Sequence, residues 1–161
     1  MAENDEYVRQ VATNRKARYR FFIEDTFEAG MELVGSEVKS LRQGNCSIEE
    51  SYAKPEGDEM FLYGMHIAPY AQATVDKPDP DRRRKLLLHR AEMARIISRC
   101  NQRGYTLVPL RVYFKAGWAK VELGLARSRQ VADKREKEMA KQKRRDVDSA
   151  LGRRAGRREK R

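Results

Sequence analysis

Two runs of alternating apolar residues in the second half of the chain constrain the fold most strongly. Such alternation places the apolar side chains on one face of a strand and is typical of sheets that cover a core. The apolar positions are Val108, Leu110, Val112 and Phe114 in the first run, and Ala119, Val121, Leu123 and Leu125 in the second.

A two-residue turn at Ala116-Gly117 joins the two runs and fixes their register. An unbroken register brings both apolar sets to the same side of the hairpin, so strand pairing and core formation agree. Pro109 lacks an N–H and therefore favours an edge position at its end of the strand. The predicted pairs are Phe114 with Ala119, Val112 with Val121, Leu110 with Leu123, and Val108 with Leu125.

Further strands are predicted upstream of this hairpin. A Pro-x-Gly turn at 55–58 separates two extended runs and predicts a second hairpin over 46–54 and 59–67. Residues 74–85, with two prolines and a run of basic residues, predict a mobile, exposed loop. A strand composition also marks 19–23, where one face carries Tyr19, Phe21 and Ile23.

Two helices are predicted from caps and periodicity. Ser36 begins a short helix, and Gly44 ends it. A longer helix begins at His89, where Glu92 three residues later suggests a capping box, and Gly104 ends it. The inner face of the longer helix carries apolar residues at the spacing i, i+3, i+4, i+7, namely Met93, Ile96, Ile97 and Cys100.

Short antiparallel strands with one longer and one short α-helix indicate a small β-barrel or a sheet packed on a helix. A mainly β, OB-fold-like antiparallel barrel fits the length and the charge. The net charge is +11, and residues 132–161 carry +7 of it without any aromatic residue. We therefore expect a flexible leader over 1–13, a compact body over 14–131, and a basic C-terminal tail over 132–161 that is disordered alone.

A charge surplus of this size favours a polyanionic partner, nucleic acid first and an anionic membrane second. No apolar run approaches the length that spans a bilayer, and residues 1–10 lack the apolar segment of a secretory signal. Cys46 and Cys100 lie far apart without CxxC spacing, so free thiols are expected. These features together predict a cytoplasmic protein.

Motifs for catalysis or for a cofactor are absent from the sequence, including a phosphate-binding glycine loop and a nucleophile elbow. A structural role is favoured for His66 and helix capping for His89, and two histidines with two distant cysteines make a poor zinc site. Adjacent carboxylates at 24–25 and 49–50 point to opposite faces of a strand. We expect no enzyme activity, no metal and no cofactor.

Several segments, in order from about residue 12 to the C-terminus, resemble the SsrA-binding protein (SmpB) family. The density of these matches makes the resemblance highly specific. The segments are NRKAR (14–18), FFIEDTFEAG (21–30), GSEVKSLRQG (35–44), SYA (51–53), RKLLLHRAE (84–92), GYTLVPLRVYFKAGWAKVELGLA (104–126) and DKRE (133–136).

The resemblance implies an OB-fold-like barrel with a helix against it and a complex with the tRNA-like domain of transfer-messenger RNA. Family members deliver this RNA, with elongation factor Tu, to ribosomes stalled without a stop codon, where trans-translation tags the incomplete protein. The body stands in for the missing anticodon arm. The tail forms a helix in the empty messenger channel beyond the decoding centre of the small subunit. A monomer is expected on the RNA.

By the same resemblance, Asn14, Glu28 and Leu87 match positions that the family uses to grip the RNA. Their expected neighbours on that surface are Arg15, Glu37, Lys39, Ser40 and Arg42. Lysine and arginine reach phosphates, and a glutamate accepts hydrogen bonds from base edges, sugar hydroxyls or a basic side chain. One leucine of 86–88 is expected to pack on unpaired bases, with burial as the alternative.

In the tail, Asp133, Lys134 and Arg135 match the DKR element of the family, and the expected ribosome contacts continue with Lys141, Lys143, Arg144 and Arg145. Two positions depart from the family pattern. Ala132 stands where family members often carry histidine or an aromatic residue, and Leu151-Gly152 stands where they often carry a bulkier apolar pair. These departures leave more of the tail's grip to basic side chains.

Two alternatives accompany this hypothesis: a generic ribosome- or RNA-associated basic protein, and a small hydrolase that acts on RNA. Composition alone supports rescue and generic binding equally, and the motifs favour rescue. Selective binding of tRNA-like RNA over random RNA separates the first two, because generic binding follows salt steeply without selectivity. Turnover of labelled RNA by the pure protein favours the third.

Overall fold

The computed structural model describes residues 7–75 and 77–158. The chain divides into a body that ends at Arg127 and a second unit that begins at Ser128. The first six residues of the predicted leader lie outside the described residues.

The body contains nine strands and three helices in the described ranges. In chain order they are β1 Val8–Thr13, α1 Ala17–Arg20, β2 Phe21–Met31, α2 Gly35–Arg42, β3 Cys46–Ser47, β4 Tyr52–Glu56, β5 Glu59–Tyr63, β6 His66–Ile67, β7 Arg84–Leu87, α3 Arg90–Cys100, β8 Tyr105–Lys115 and β9 Trp118–Ser128.

Six strands close into a barrel in the order β8-β4-β5-β7-β2-β9, because β9 pairs back with β8. The pairs β2–β7, β4–β5, β4–β8, β5–β7 and β8–β9 are antiparallel. Strand β1 adds to β8 along the same edge as β4, and β3 pairs with β6 in a separate two-stranded sheet. Closure leaves the barrel strands without an open edge. The predicted mainly β barrel is confirmed.

The core fills the inside of this barrel and extends to α3. Ile96 of α3 is fully buried and packs in the same cluster as the inward-facing residues of the strands. Complete burial of one such aliphatic side chain contributes about 1.5–3 kcal/mol. The completely buried residues of the strands include Met60, Leu62, Leu107, Val112, Val121 and Leu123.

The β8–β9 hairpin has the predicted register near its tip. Ala116 and Gly117 have φ angles of 49° and 80°, the left-handed values that a two-residue hairpin turn of type I′ requires. The predicted pairs of Phe114 with Ala119 and of Val112 with Val121 are confirmed.

Farther from the tip, a bulge beside Pro109 changes the register, so the predicted pairs of Leu110 with Leu123 and of Val108 with Leu125 are wrong. Proline has no N–H to donate to the ladder, and an extra residue inserted beside it restores pairing on the other side of the interruption. The observed pairs beyond the bulge are Pro109 with Leu123, Val108 with Gly124, and Leu107 with Leu125.

The bulge also redistributes the apolar side chains of β8. Leu107 packs in the barrel core, whereas Val108 and Leu110 belong to a second, smaller buried cluster. Since one inserted residue reverses the alternation of faces, the predicted single apolar face of this strand is divided between two clusters. The other members of the second cluster are Ala17, Phe21, Ile23 and Ala126.

The N-terminal segment differs from the prediction in two places. Residues 8–13 form β1, with Val8 opposite Lys115, so this part of the predicted leader is wrong. A mostly exposed strand beside β8 lacks the apolar alternation by which strands are recognised. Tyr19 lies in α1 and is 84% exposed, so its predicted place on a strand face with Phe21 and Ile23 is also wrong.

The middle of the chain keeps its predicted hairpin in a shorter form. Strands β4 and β5 pair from Tyr52 with Tyr63 to Glu56 with Glu59. Gly64, at a φ of 77°, ends β5, and a Cβ there would lie 2.8 Å from the carbonyl oxygen of Glu50. Arg84 and Lys85, which the sequence places in the loop 74–85, belong to β7 instead.

Helices α2 and α3 lie where periodicity predicts them, but their predicted side-chain caps do not form. The N-cap of α2 is Val34 rather than Ser36, and it makes no side-chain cap. His89 occupies the N-cap of α3 as predicted, without a side-chain hydrogen bond. The predicted C-terminal ends of the two helices agree with the structure, since Gly44 and Gly104 follow them with left-handed φ angles.

A buried ion pair ties α2 to β7. The Glu37 side chain is 3% exposed and that of Arg84 is 0% exposed, with 3.4 Å between Arg84 Nε and Glu37 Oε2. Arg84 also donates to the carbonyls of Met65 at 2.5 Å and Pro80 at 2.9 Å. Arg82 donates to both carboxylate oxygens of Glu37, at 2.5 and 2.9 Å. Burial lowers the pKa of the Arg84 guanidinium, and Glu37 opposes that effect.

The second unit is α4, Arg129–Arg158. It begins before the predicted boundary at Ala132, and its side chains are exposed throughout 135–152. Met139, Val147 and Leu151, the predicted thin apolar stripe, are each more than half exposed. No helix within 7–75 and 77–158 is long and apolar enough to cross a membrane.

We expect Glu37→Gln to lower the free energy of unfolding by about 3–5 kcal/mol, because it leaves the buried charge of Arg84 uncompensated. Urea unfolding followed by circular dichroism measures the change. Lys85→Gln is the control, since it breaks the exposed Lys85–Glu59 pair, whose side chains are 37% and 49% exposed, and leaves stability near that of the wild type. Equal losses in both variants would contradict a structural role of the buried pair.

We also expect the backbone amides of 135–152 in the free protein to exchange with solvent far faster than those of the barrel strands. Exposed side chains contribute no burial that offsets the entropy of ordering this helix. Hydrogen exchange followed by mass spectrometry measures this, with peptides from β8 as the internal reference. Protection of 135–152 equal to that of β8 would contradict the predicted disorder of the tail alone.

Candidate nucleic-acid interface

The predicted RNA-binding residues occupy three kinds of position in the body. Asn14, Glu37 and Ser40 are buried. Glu28 and Leu87 lie exposed on the outer wall of the barrel, and an exposed basic group lies on α2 and at the end of β1. The members of that basic group are Arg15, Lys39 and Arg42.

Asn14 joins three parts of the body at the end of β1. Its Nδ2 donates to the carbonyls of Pro109 at 3.1 Å and Ile48 at 3.3 Å. Its Oδ1 accepts from the N–H of Ala17 at 3.1 Å and so stabilises the start of α1. With 5% of its surface exposed, the side chain of Asn14 fixes the backbone from which the exposed Arg15 projects.

Glu37 and Ser40 face the inside of α2 and hold it in place. Glu37 binds Arg82 and Arg84 as described above, and Ser40 Oγ donates to the carbonyl of Ala68 at 2.5 Å. Both side chains therefore use their polar atoms within the protein. The arrangement fixes the direction in which the opposite side of α2 points.

That opposite side of α2 carries two cations three residues apart. Lys39 Nζ lies 5.6 Å from the centre of the Tyr70 ring, and the Arg42 guanidinium lies 5.3 Å from the centre of the Phe114 ring. The Arg42 carbonyl accepts a hydrogen bond from Arg9 at 2.8 Å, which links β1 to the end of α2. Cations stacked on rings keep their outer side available for phosphates.

Strands β2 and β7 present Glu28 and Leu87 by simple alternation. Phe27, Ala29 and Met31 face the core, so Glu28 and Gly30 face outward. Leu86 is 1% exposed and Leu87 is 53% exposed, which identifies Leu87 as the outward leucine of 86–88. Leu87 lies directly opposite Gly30, and its side chain occupies the space beside this glycine, since a Cβ there would lie 3.4 Å from Leu87 Cβ.

Glu28 is held as an ionised acceptor. The hydroxyl of Tyr113 donates to Glu28 Oε2, and Lys115 Nζ lies 3.6 Å from Glu28 Oε1. The hydrogen bond from Tyr113 lowers the pKa of Glu28, with smaller contributions in the same direction from Lys115 and Lys120. An ionised carboxylate on an exposed wall can accept further hydrogen bonds from base N–H groups or ribose hydroxyls.

Sequence reasoning missed one aromatic residue, Tyr19, which is exposed among cations near the N-terminus. Tyr19 projects from α1 next to the exposed Arg18 and Arg20, and Arg20 lies 3.5 Å from Glu50. Rings exposed beside cations are the surface on which unpaired bases stack. The signal was the basic run 14–18 directly before Tyr19, which argues against a buried strand face at that position.

The tail cations lie on α4. The side chains of Arg135, Lys141, Lys143, Arg144 and Arg145 are exposed. The side chains of Asp133 and Lys134 lie outside the described residues. The cations of this helix surround its axis rather than share one face, because 143, 144 and 145 are consecutive. Such a helix suits a partner that encloses it.

Groups suited to metal or redox chemistry are scarce in this body. Within the described part of the chain, no three His, Cys, Asp or Glu side chains lie close enough together to hold a metal ion. Cys46 and Cys100 are free thiols, as predicted, and burial raises the pKa of Cys46 to about 11. His66 Nδ1 lies 2.8 Å from Asp81 on the surface.

The chain is similar over most of its length to proteins of one family. The SmpB protein family matches residues 11–153. The SsrA-binding protein of Anaeromyxobacter sp. (strain Fw109-5) is 53% identical over 144 residues, which cover 89% of this chain and 87% of the relative. The SsrA-binding protein of Alkaliphilus metalliredigens (strain QYMF) is 47% identical over 154 residues, which cover 96% and 97%.

A solved structure gives the same answer for the fold. One chain of a solved structure, described as "tmRNA-SmpB: a journey to the center of the bacterial ribosome", matches this chain with a TM-score of 0.63 and 48% sequence identity. The match covers 74% of this chain and 84% of the other. The family match, the 47–53% identity to the two relatives and the shared fold all agree. The chain therefore belongs to the SmpB protein family.

Proposed function

We propose that this protein binds the tRNA-like domain of transfer-messenger RNA and delivers that RNA to stalled ribosomes for trans-translation. The observation that carries the proposal is the 47–53% identity to SsrA-binding proteins over 89–96% of the chain, together with the likeness to a tmRNA–SmpB structure. The exposed Leu87, the oriented Glu28 and the cations of α2 supply chemistry that suits a folded RNA.

The body recognises the RNA through complementary contacts on its exposed residues. Lys39, Arg42 and Arg15 bind phosphates and set the position of the RNA. Leu87 packs on an unpaired base, and Glu28 accepts a hydrogen bond that a backbone phosphate cannot supply. Asn14, Glu37 and Ser40 act from inside the fold by holding these elements in place. The combination favours a structured RNA over a random one.

The tail engages the ribosome rather than the RNA. Its cations on every side of α4 suit a channel lined by ribosomal RNA, such as the vacant messenger track beyond the decoding centre. This contact is carried by Lys134, Arg135, Lys141, Lys143, Arg144 and Arg145, together with Asp133 of the DKR element. Ala132 and Gly152 contribute no ring or apolar anchor. The order of the tail then depends on the partner.

The protein acts together with other translation components. Elongation factor Tu joins the complex by binding the RNA and does not contact this chain directly. One copy binds one RNA, in the cytoplasm. The protein acts as a binding factor without catalytic turnover.

We expect Leu87→Asp to weaken binding to the tRNA-like domain by about tenfold or more, because it replaces an apolar contact with a charge that repels phosphates. Filter binding or fluorescence anisotropy measures the affinity. Met139→Asp is the matched control, since Met139 is also an exposed apolar residue, at 62%, but lies on α4, outside the proposed RNA contacts of the body. Equal weakening by both substitutions would indicate general repulsion and contradict the site.

We expect truncation after Val131 to leave the affinity for the tRNA-like domain within about twofold of the wild type while abolishing tagging on stalled ribosomes. The tail carries little of the grip on the RNA in this account, although it carries most of the excess charge. A reconstituted tagging reaction with a truncated message measures the second effect. Normal tagging by the truncated protein would refute the proposed role of the tail.

A further inference from the structure

Tyr113 is a buried tyrosine that does not face the core. Its neighbours Val112 and Phe114 pack inside the barrel, so Tyr113 lies on the outer wall. Even so, it is only 3% exposed, because side chains of adjacent strands cover it. A tyrosine in such a place requires a partner for its hydroxyl.

That partner is the carboxylate of Glu28, two strands away in the barrel. The Tyr113 hydroxyl donates to Glu28 Oε2, and Lys115 Nζ lies 3.6 Å from the other oxygen. The Tyr113 ring also lies 4.9 Å from the Arg111 guanidinium, and Arg111 donates to Glu122 at 2.5 Å. A connected row of side chains therefore links β9, β8 and β2 and ends at Glu28.

The row restricts a side chain that is flexible when free. A glutamate on a surface samples many rotamers and loses that freedom when it binds. Here the two carboxylate oxygens have different neighbours, which fixes both the position of the group and the direction of its unused lone pairs. Fixing a contact group before binding raises affinity by removing that cost.

We propose that Tyr113 is a positioning residue for RNA recognition: its hydroxyl orients the Glu28 carboxylate to accept a hydrogen bond from a base N–H or a ribose hydroxyl. This inference rests on the proposed function and deepens it. Tyr113 itself makes no contact with the RNA, because it is buried. Its effect reaches the ligand only through Glu28.

Charged groups around Glu28 predict how the carboxylate responds when the hydroxyl is lost. Tyr113 and Lys115 face it from β8 and Lys120 faces it from β9, and all three lower its pKa, Tyr113 most strongly. Arg111 and Glu122 act on Tyr113 rather than on Glu28. Without the hydroxyl, the pKa of Glu28 rises toward its ordinary value, so protonation begins at a higher pH.

The test is Tyr113→Phe, which removes one oxygen and keeps the buried ring. We expect it to weaken binding to the tRNA-like domain about tenfold at neutral pH, the size typical of a lost hydrogen bond to a charged group. Tyr63→Phe is the matched control: the Tyr63 hydroxyl donates to Glu56 in the same way, but neither residue lies in the proposed contacts. We expect its affinity to equal that of the wild type.

Two further readouts separate positioning from a general effect on the fold. In a Glu28→Gln background, Tyr113→Phe should weaken binding no further, because the group that it positions has already been changed. The carboxyl carbon resonance of Glu28 should titrate at a higher pH in Tyr113→Phe than in the wild type. Affinity of this variant should accordingly fall faster than that of the wild type as the pH drops through the ordinary glutamate pKa of 4.5.

The outcomes distinguish this inference from the proposed function. Lack of selective binding of tRNA-like RNA by the wild-type protein would refute the proposed function itself. Selective binding that weakens in Glu28→Gln but not in Tyr113→Phe would overturn the positioning role alone. Additive losses in the double variant would overturn it as well, since they would show that Tyr113 acts without Glu28.

Discussion

The structure depends on one strand that closes the barrel and changes faces within its own length. Strand β8 pairs with β9 along one edge and with β4 and β1 along the other. The bulge beside Pro109 allows its two halves to serve two buried clusters. Without that bulge, Val108 and Leu110 would turn toward the barrel core, and the small cluster that seats Ala17 of α1 would lose its base.

Closure also determines what the surface presents. Once alternate residues fill the core, the residues between them face outward in fixed rows. Glu28 and Leu87 are exposed because Phe27 and Leu86 are buried. The basic side of α2 is directed outward for a related reason, since Glu37 and Ser40 bind inside. The proposed interface is therefore a consequence of the packing beneath it, and damage to buried groups reaches the ligand through position.

Much of this organisation was predictable from the sequence. The closing hairpin, both principal helices and the charged tail followed from apolar periodicity, turn residues and charge. The bulge was not predictable in its consequence, because Pro109 signals an interruption without saying whether the strand ends or inserts a residue. Strand β1 was missed because its partner strand, rather than its own pattern, orders it. Tyr19 was assigned to a strand because α1, at four residues, is too short to show a helical pattern in the sequence.

The predicted site residues fall into a buried group and an exposed group, and the sequence alone does not show which residue belongs to which. Exposure separates Leu87 from Leu86, whereas the sequence shows only three leucines in a row. Burial separates Glu37, which pairs with Arg84, from Glu28, which faces outward. Both glutamates resemble contact residues in the sequence. The contribution of Tyr113 is invisible there, because a tyrosine in an apolar strand has no feature that relates it to a carboxylate two strands away.

The central claim is that the body selects one folded RNA by shape and oriented contacts rather than by charge alone. The most direct measurement is to isolate the full-length protein from cells at moderate salt and sequence the RNA that accompanies it. We expect strong enrichment of a single RNA species with a tRNA-like domain, relative to its share of total cellular RNA. Recovery of RNA in proportion to bulk abundance, without that species enriched, would contradict it.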